Sequence, residues 1–594
     1  MARKKPRYKL FLLSIGVILG IGVFSSFNLF PSQITNWWEC LSSPLRVCQV
    51  ANAESTEIKA SGYNGAVVST QKEASQIGLE VLTTGGNAID AAVAIGYALA
   101  VSDPCCGNIG GGGFMLIHLA DGTETFINFR ETAPLAATAD MYLDPKGEIV
   151  KGLSTKGYLA VGVPGTVKGL NYALAKYGTW DLEKIITPAI ALAEKGFVLQ
   201  QGDIDIFQAG KRRLLEPNVA EIFLKGNDQV YQAGDILVQS DLAESLKLIA
   251  QEGNDAFYQG SIAQKIVTAS NKNQGILSLE DFANYQVSEY APVSCNYRGY
   301  QVTSSPPPGG GTTLCQMLNI LSGYDLQNLG WKTPQSLHPI LSSMLLAFSD
   351  RNQFLGDPDF VDNPLEKLLS SAHANFLRAK IPEDKAIAPE SVYPALEPEG
   401  TNTTHYSVID KQGNAVAVTY TINSYFGAGV IAPGTGFLLN NEMDDFTSKP
   451  GKPNQFGLRQ GATNKIEPGK RPLSSMSPTI VTKDNRVVLV TGSPGGSTIP
   501  TTVLQVITNA IDYEKDISTA VNSPRFHYQG LPDRIIAEPE AISAEVIQDL
   551  ELRGYTVKSF IRYGAAESIA IDLDTGLIEA VNDSRKSAGQ ALAY

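Results

Sequence analysis

Histidine and cysteine are scarce in this chain of 594 residues, which has five histidines and six cysteines. The histidines are scattered singly along the sequence, and no two cysteines have the C-x-x-C spacing of a zinc site. Zinc and most transition-metal sites take several such ligands from a short motif. The sequence therefore does not predict a metalloenzyme.

The cysteines also lack the arrangement of a disulfide framework. Cys105 and Cys106 are adjacent, Cys295 and Cys315 stand alone, and the other two lie in an N-terminal targeting region. Adjacent cysteines rarely bond to each other. We expect cysteines with a structural role and no disulfide framework.

Clusters of lysine and arginine are absent beyond the extreme N-terminus, and the formal net charge is −13. Sequence-independent nucleic-acid binding depends on such clusters, so nucleic acid is not an expected partner. The sequence also has no internal repeat and no low-complexity tract. Its length, its 43% hydrophobic residues and its 18% charged residues indicate an ordered globular protein with a large core.

A targeting segment is present at the N-terminus, over residues 1–53. Basic residues within 3–9 precede an uncharged apolar run at 10–24, and Ala-Asn-Ala at 51–53 is a small-residue cleavage pattern. With interruptions, the apolar run approaches the ~20 residues that span a bilayer. A cleaved export signal and a retained membrane anchor both remain open. Either one predicts an exported protein, periplasmic or extracytoplasmic, with the bulk of the chain outside the cytoplasm.

The chain after residue 61 has the pattern of a layered α/β protein. Strand-like runs at 65–69, 114–118 and 124–129 flank a stretch of helical spacing at 72–82. Asn87 then caps an alanine-rich helix that extends to about residue 101. That helix is apolar nearly all round, so we expect it to be buried between layers.

The rest of the chain follows the same alternation on a larger scale. The spacing predicts mostly helix over 170–290 and 335–385, and helices again at 500–511 and 541–553. Residues 386–402 contain three prolines and little apolar periodicity, which indicates a linker or mobile tail. Strands return after residue 403.

A hairpin pattern begins at Thr403, where two alternating runs, 403–410 and 415–421, flank the turn-forming residues 411–414. A chain cut before Thr403 would place a hydroxyl nucleophile beside a new α-amine. That amine, with a pKa near ~8, can serve as the general base. The alternative is a surface hairpin whose threonines merely suit a strand.

Several polar loops supply parts of an amide-cleaving site for an amino-acid-like substrate. Arg130, with Ser474 and Ser475, can hold an α-carboxylate, because guanidinium groups match carboxylate geometry. Glu442 and Asp445 can hold an α-ammonium.

The backbone N–H groups of Gly495 and Gly496 can stabilise a tetrahedral oxyanion, because no side chain shields them. Taken singly, each feature has a simpler explanation: a tight turn at the glycines, a surface ion pair at Arg130–Glu131, and a solvated loop at Asp444–Asp445. Spacing alone does not bring these loops together.

Six ordered motifs resemble those of the γ-glutamyltranspeptidases, also called glutathione hydrolases, of the Ntn-hydrolase superfamily. The resemblance extends from about residue 65 to residue 594. The motifs are Gly-Asn-Ile-Gly-Gly-Gly-Gly-Phe-Met (107–115), Phe-Arg-Glu (129–131), Thr-Thr-His-Tyr-Ser (403–407), Asn-Asn-Glu-Met-Asp-Asp-Phe (440–446), Arg-Pro-Leu-Ser-Ser-Met-Ser-Pro-Thr (471–479) and Gly-Ser-Pro-Gly-Gly (492–496).

The resemblance implies a proenzyme that cleaves itself between Asn402 and Thr403. The products would be a large subunit, 54–402, and a small catalytic subunit, 403–594, which stay together as a heterodimer in a four-layer αββα sandwich. The resemblance implies cleavage of the γ-glutamyl amide of glutathione and related compounds. The γ-glutamyl group would pass to water or to an amino acid or peptide acceptor, without any metal or organic cofactor.

The resemblance also implies a role for each site residue. Thr403 would be both nucleophile and α-amine base, and Thr421 would hydrogen-bond to it. Arg130, Ser474 and Ser475 would bind the glutamyl carboxylate. Asn423, Glu442 and Asp445 would bind the glutamyl amino group. The oxyanion hole would be formed by Gly495 and Gly496.

Two positions depart from the bacterial pattern of the family. Many bacterial relatives have Gln where this chain has Glu442. The insertion at 447–470 predicts a lid, but Phe456 stands where lidded relatives have a tyrosine that bonds to the equivalent of Asn423. Without a hydroxyl, Phe456 cannot form that bond.

Two alternative functions remain. A glutaryl (cephalosporin-type) acylase of the same superfamily would act on a substrate without an α-ammonium, which leaves Glu442 and Asp445 without a use. An inactive exported binding protein would need no self-cleavage.

Overall fold

The computed structural model describes residues 58–226, 228–391 and 403–594. The predicted targeting segment at 1–53, most of the predicted linker and the cleavage-site residue Asn402 lie outside these ranges. Within them, no helix combines the length and hydrophobicity that a membrane crossing requires.

The first sheet of the described chain contains the Thr403 hairpin near its centre. Its seven strands are all antiparallel, in the order β19-β2-β10-β11-β3-β4-β7. They are β2 (Ala66–Ser69), β3 (Gly112–His118), β4 (Glu124–Phe129), β7 (Ser288–Tyr290), β10 (Thr404–Ile409), β11 (Ala415–Thr421) and β19 (Gln590–Ala593).

The second sheet of the described chain also has seven antiparallel strands, in the order β1-β18-β17-β13-β12-β9-β8. They are β1 (Lys59–Gly62), β8 (Val293–Tyr297), β9 (Tyr300–Ser304), β12 (Thr479–Lys483), β13 (Arg486–Thr491), β17 (Ser568–Ile571) and β18 (Ile578–Val581). Short strands outside both sheets are β5 (Phe197–Val198), β6 (Ile236–Leu237), β14 (Phe526–His527), β15 (Ile535–Ala537) and β16 (Val557–Ser559).

One helical layer packs on the outer face of the first sheet. The central helix, α2, is buried along its whole length, and Asn87 accepts hydrogen bonds from the N–H groups of Ile89 and Asp90, as predicted for its cap. The helices of this part of the chain are α1 (Lys72–Thr83), α2 (Ala88–Ser102), α3 (Thr166–Tyr177), α4 (Leu182–Lys195), α5 (Gln201–Gly210), α6 (Pro217–Phe223), α7 (Ser240–Glu252), α8 (Asn254–Tyr258), α9 (Ser261–Lys272) and α10 (Leu279–Asn284).

A second helical layer packs on the outer face of the second sheet, where α11, α13 and α16 share a core with strand residues such as Val302, Val481 and Leu489. The helices of this part of the chain are α11 (Gly311–Leu321), α12 (Leu326–Leu329), α13 (Pro334–Phe354), α14 (Leu365–Leu368), α15 (Ser371–Arg378), α16 (Ile499–Ile511), α17 (Ile517–Asn522) and α18 (Ala544–Leu552).

The two sheets face each other across a third core. Because side chains alternate along a strand, Phe114 and Leu116 of β3 point between the sheets, while Met115 and Ile117 pack against the helices. The order of layers is therefore helix, sheet, sheet, helix, which confirms the predicted four-layer αββα fold.

Both sheets combine strands from the two predicted subunits. In the first sheet, β10 lies between β2 and β11, and β11 pairs in turn with β3. In the second, β12 pairs with β9. A cut before Thr403 would thus leave the two segments joined through both sheets.

The expectation that the cysteines form no disulfide framework is corrected at two pairs. Cys105 is bonded to its neighbour Cys106, and Cys295 is bonded to Cys315. Packing of α11 against β8 brings the Cα atoms of the second pair to 5.7 Å, a contact that sequence spacing does not reveal. Asp103 lies near the first pair, but sulfurs joined in a disulfide are not the thiolates that a metal ion binds.

The start of the predicted linker is also ordered, which corrects that prediction for residues 386–391. Ala386 donates its N–H to the carbonyl of Arg553 at 2.7 Å, and Ile387 is buried. This stretch is therefore anchored against the part of the chain after α18.

Candidate active site

The hairpin of β10 and β11 places Thr403 opposite Thr421. The paired register begins with Thr404 opposite Tyr420, and one further step reaches Thr403 and Thr421. The Thr403 Oγ1 donates to the Thr421 Oγ1 at 3.4 Å, and the Asn423 N–H donates to the same Thr421 oxygen at 2.8 Å. Both threonines are buried, so the alternative of a surface hairpin is wrong.

The glycine-rich stretch before β3 supports the end of β11 by close backbone contact. A Cβ atom on Gly111 would lie 1.9 Å from the carbonyl oxygen of Thr421, and one on Gly110 would lie 2.1 Å from that of Leu438. Real Cβ atoms essentially never come so close to backbone. Gly111 is therefore required for the position of Thr421, and Gly110 for the close approach of Leu438.

Arg130 lies at the end of β4 and is only 1% exposed, so the alternative of a surface ion pair is wrong. Its guanidinium donates to the carboxylate of Asp445 at 2.5 Å and also to that of Glu442. The carboxylate of Glu131 is 3.8 Å away. The residues predicted to bind opposite charges of a substrate thus bind each other in this structure.

Burial dominates the electrostatics of this cluster. It raises the pKa of Glu442 well above its usual range, against the opposing effect of Arg130. It also raises the pKa of Asp445, which Arg130 and Arg351 oppose, and that of Glu131, to about 8. Three carboxylates therefore share two buried guanidinium groups, and the cluster has one more acidic group than basic groups.

The loop that carries Glu442 and Asp445 is held in place by the two asparagines that precede it, Asn440 and Asn441. The Asn440 side chain donates to the carbonyls of Gly110 and Gly162 at 2.9 and 2.8 Å, and its oxygen accepts from the N–H of Glu442 at 3.0 Å. Asn441 accepts from the N–H of Ser424 at 3.0 Å. This network fixes the short 3₁₀ helix Glu442–Asp445 against the glycine-rich stretch.

The side chain of Asn423 lies beside the same carboxylates. Its amide nitrogen donates to the Asn441 carbonyl at 3.1 Å and to the Asp445 carboxylate at 3.4 Å. Its backbone has a positive φ of 74°, in the left-handed region that asparagine tolerates better than most residues.

Ser474 and Ser475 lie on a loop that is fastened to the turn before α11. The Ser474 N–H donates to the carbonyl of Pro308 at 2.7 Å, and its hydroxyl oxygen accepts from the N–H of Met476 at 3.1 Å. The buried hydroxyl of Ser475 has no hydrogen-bond partner among the described residues. It is available for a ligand.

The glycine pair between β13 and α16 has a backbone that requires glycine. Gly495 has a φ of 143° and Gly496 a φ of 54°, which side chains with a Cβ rarely adopt. The Gly495 carbonyl accepts from the N–H and hydroxyl of Thr498 at 3.1 and 2.8 Å, and this stops the loop at the start of α16.

These side chains line one pocket. It contains every predicted site residue of the described chain except Gly495, which immediately precedes the lining residue Gly496. Its lining is Arg130, Arg351, Thr403, Thr421, Asn423, Glu442, Asp445, Phe456, Leu458, Leu473, Ser474, Ser475, Met476, Gly496 and Ile499.

Comparison with known proteins identifies the family of this chain. Residues 74–593 match the sequence profile of the family described as gamma-glutamyltranspeptidase. The chain belongs to this family. It is 51% identical over 543 residues to a glutathione hydrolase proenzyme of Pseudomonas sp. (strain A14), covering 89% of this chain and 94% of that protein.

Two further proteins are similar to this chain over most of its length. A glutathione hydrolase proenzyme of Escherichia coli (strain K12) is 46% identical, with 88% of this chain and 90% of that protein covered. The crystal structure of a cephalosporin acylase from Bacillus halodurans superimposes with a TM-score of 0.79 at 27% identity, covering 92% of this chain and 98% of that one.

The insertion predicted to form a lid contributes to the pocket wall of this family member. Phe456 and Leu458 line the pocket, and the Phe456 ring lies so close to Gly496 that a Cβ there would be 2.8 Å from it. The Ser424 hydroxyl donates to the side-chain oxygen of Gln455 at 2.8 Å, and Gln529 donates to the Phe456 carbonyl at 3.3 Å. Neighbours of Phe456 thus fasten the segment without a tyrosine.

Sequence analysis missed Arg351 and the apolar part of the lining. Arg351 comes from α13, is 1% exposed and acts electrostatically on Asp445. It lies outside the six motifs, and only the approach of α13 to the loop at 440–446 brings it into the pocket. Arg351 is the only lysine or arginine in α13, which is a weak signal that could have drawn attention to it.

Proposed function

We propose that Thr403 is both the nucleophile and the general base of a γ-glutamyltransferase and glutathione hydrolase. The observation that carries this proposal is the position of Thr403 at the start of β10, in one buried pocket with Arg130, Glu442 and Asp445. A hydroxyl nucleophile, a guanidinium and two carboxylates are the groups that an amide of a zwitterionic amino acid requires.

Self-cleavage is the first step of the proposed mechanism. The Thr403 hydroxyl attacks the carbonyl of Asn402, and the peptide C–N bond breaks, which forms an ester and frees the Thr403 α-amine. Water then hydrolyses the ester, which releases the Asn402 carboxylate and restores the Thr403 hydroxyl. Two subunits, 54–402 and 403–594, then form the processed enzyme, held together by the two shared sheets.

The mature reaction uses the same oxygen. The Thr403 Oγ1 attacks the γ-carbonyl carbon of glutathione, and the α-amine accepts the hydroxyl proton. The C–N bond breaks as the amine returns that proton to the leaving nitrogen, and a γ-glutamyl ester remains on Thr403. Water, or the amine of an amino acid or peptide acceptor, then attacks this ester. The Gly495 and Gly496 N–H groups stabilise the oxyanion in both halves of the reaction.

Binding of the glutamyl group exchanges partners within the buried cluster. The substrate carboxylate takes the guanidinium of Arg130, with Ser474 and Ser475 as further donors. The substrate ammonium takes the carboxylates of Glu442 and Asp445, which Arg130 holds in the free site. Each buried charge keeps an opposite charge nearby, so substrate entry avoids the cost of an unpaired buried ion.

A glutaryl acylase is the alternative within the same fold. A glutaryl group would supply a carboxylate for Arg130 but no ammonium, so its entry would draw Arg130 from Glu442 and Asp445 without a replacement cation. That cost favours γ-glutamyl over glutaryl substrates.

We also propose that the protein acts outside the cytoplasm. The support is the basic and apolar pattern of residues 1–53, which lie outside the described ranges. Retention of this segment as a membrane anchor is the alternative to cleavage.

Replacement of the nucleophile tests the proposal. We expect wild-type protein to show two fragments on a denaturing gel, with Thr403 at the N-terminus of the smaller one, and Thr403→Ala to remain one uncut chain without γ-glutamyl release. Thr403→Ser should retain cleavage, because it keeps the hydroxyl. Normal maturation of Thr403→Ala would contradict the assignment.

A further inference from the structure

A second concave surface, here called the basic groove, adjoins the catalytic pocket. Its walls come from residues 149–156, 209–213, 424–425 and 444–460, and its volume is about 1130 Å³. Small-molecule pockets usually have about 300–1,000 Å³. The groove is therefore large enough for a peptide rather than for a single amino acid.

The groove and the pocket are adjacent and share one lining residue. Leu458 lines both, and the groove residues Ser424 and Asp444 are the chain neighbours of the pocket residues Asn423 and Asp445. The groove therefore lies beside the place that a glutamyl group would occupy in the pocket.

The charge of the groove is opposite to that of the whole protein. Its lining includes five cationic side chains, whereas the chain as a whole has a formal net charge of −13. The five are Lys151, Lys156, Arg212, Arg213 and Lys452.

Among the described residues that line the groove, Asp444 is the only carboxylate, and it is already engaged. It accepts from the Ser154 hydroxyl at 2.6 Å and from the Gln455 N–H at 3.0 Å, and it is 5% exposed. It offers little negative charge to a ligand or to the cations at the groove surface.

Four of the five cations are available to a ligand. Arg213 is used within the fold, where it donates to the carbonyls of Thr155 and Gly427 at 2.6 and 2.5 Å. The other four are exposed and form no ion pair with a described residue. These four are Lys151, Lys156, Arg212 and Lys452.

We propose that the basic groove binds the part of a peptide substrate beyond its γ-glutamyl group, and that it selects peptides rich in carboxylates. The proposal rests on the proposed function and adds to it a substrate class. The groove would hold the acidic leaving peptide of the donor during acylation, and an acidic acceptor peptide during transfer. Clustered cations attract such ligands and raise their local concentration at the site.

Two nearly isosteric donors test this selection. γ-Glutamyl-Glu-Glu and γ-glutamyl-Gln-Gln differ by two charges in the part that would occupy the groove. We expect the ratio of their kcat/KM values to favour the acidic peptide at low salt. The preference should vanish at about 1 M salt, where the Debye length is about 3 Å.

Reversing the charge of groove residues tests whether the preference for the acidic peptide arises in the groove. In Lys151→Glu/Lys156→Glu/Arg212→Glu we expect the ratio to fall by about five- to twentyfold, because six units of charge change near the ligand. The matched control is Lys272→Glu/Lys385→Glu/Lys558→Glu, whose residues are exposed and do not line the groove. It changes the net charge equally and should leave the ratio unchanged.

The outcomes distinguish failure of the groove proposal from failure of the proposed γ-glutamyl cleavage. A ratio near one in wild type, or an equal fall in both triple variants, would overturn the selection of acidic peptides by this groove while leaving γ-glutamyl cleavage intact. Release of glutamate from neither peptide would overturn the proposed function itself.

Discussion

Substitution of Asp445 tests how the site binds the α-ammonium of the glutamyl group. Its carboxylate lies 2.5 Å from the Arg130 guanidinium in the free site and is proposed to take the substrate ammonium. Asp445→Asn keeps the size of the side chain but removes its charge. The backbone carbonyl of residue 445, which accepts from Asn464 and Gln460 at 2.7 and 3.1 Å, is unaffected.

The magnitude follows from the lost charge. A hydrogen bond to a charged group contributes about 1.5–3 kcal/mol, and the side chain is largely buried, so solvent screens it little. Since about 1.36 kcal/mol corresponds to a factor of ten in rate, kcat/KM for a γ-glutamyl anilide should fall about 10- to 150-fold. The assay is release of the aniline from mature enzyme, with the fraction of processed chain measured on a gel.

A substrate without the ammonium provides the control. Glutaryl anilide retains the carboxylate for Arg130 but offers nothing to residue 445, so Asp445→Asn should reduce its cleavage far less. An equal loss with both anilides would refute the reasoning. It would mean that Asp445 acts by orienting Arg130 and does not contact the ammonium.

Three further predictions follow from other parts of the site. Gly111→Ala should block self-cleavage, visible as an uncut band, because its Cβ would lie 1.9 Å from the Thr421 carbonyl; normal processing would contradict this. Gln455→Ala removes the 2.8 Å hydrogen bond that Gln455 accepts from Ser424. Loss of a hydrogen bond worth about 1 kcal/mol should raise the rate of proteolysis within 447–470 about fivefold. An unchanged rate would show that this bond does not hold the segment in place. Burial raises the pKa of Glu131 from 4.5 to about 8, so the stability that its proton contributes is complete below pH 4.5 and is lost as the pH rises toward 8. In wild type the urea midpoint of unfolding should therefore fall across this pH range, and in Glu131→Gln it should fall less. Parallel curves for the two proteins would contradict the raised pKa of Glu131.

Local sequence patterns predicted the layers of the fold. The alternating runs became β2, β3, β4, β10 and β11, and the capped alanine-rich helix is buried as its composition required. These features depend on neighbours in sequence, such as the reach of the Asn87 side chain to the first turn of α2. The pocket residues were predicted from the resemblance, because their spacing does not encode which loops meet.

Features that depend on contact between distant segments were not predicted. The bond between Cys295 and Cys315 requires α11 to pack on β8, and the entry of Arg351 into the pocket requires α13 to approach the loop at 440–446. The pairing of Arg130 with Glu442 is a contact between two site residues, whereas the motifs suggested a role toward a substrate for each residue separately. The basic groove likewise combines cations from segments that lie far apart in sequence.

The shared sheets explain how one fold can serve both the precursor and the processed enzyme. β10 is hydrogen-bonded to β2 on one side and to β11 on the other, and β11 is bonded to β3. Cleavage before Thr403 would break one covalent bond but none of these ladders, because the cut lies just outside the first paired residue, Thr404. The new α-amine would therefore arise on a strand that is already fixed on both sides, and its position relative to the Thr403 hydroxyl would not depend on reassembly. Separation of the fragments would require both sheets to open, so we expect them to copurify until the fold itself is denatured.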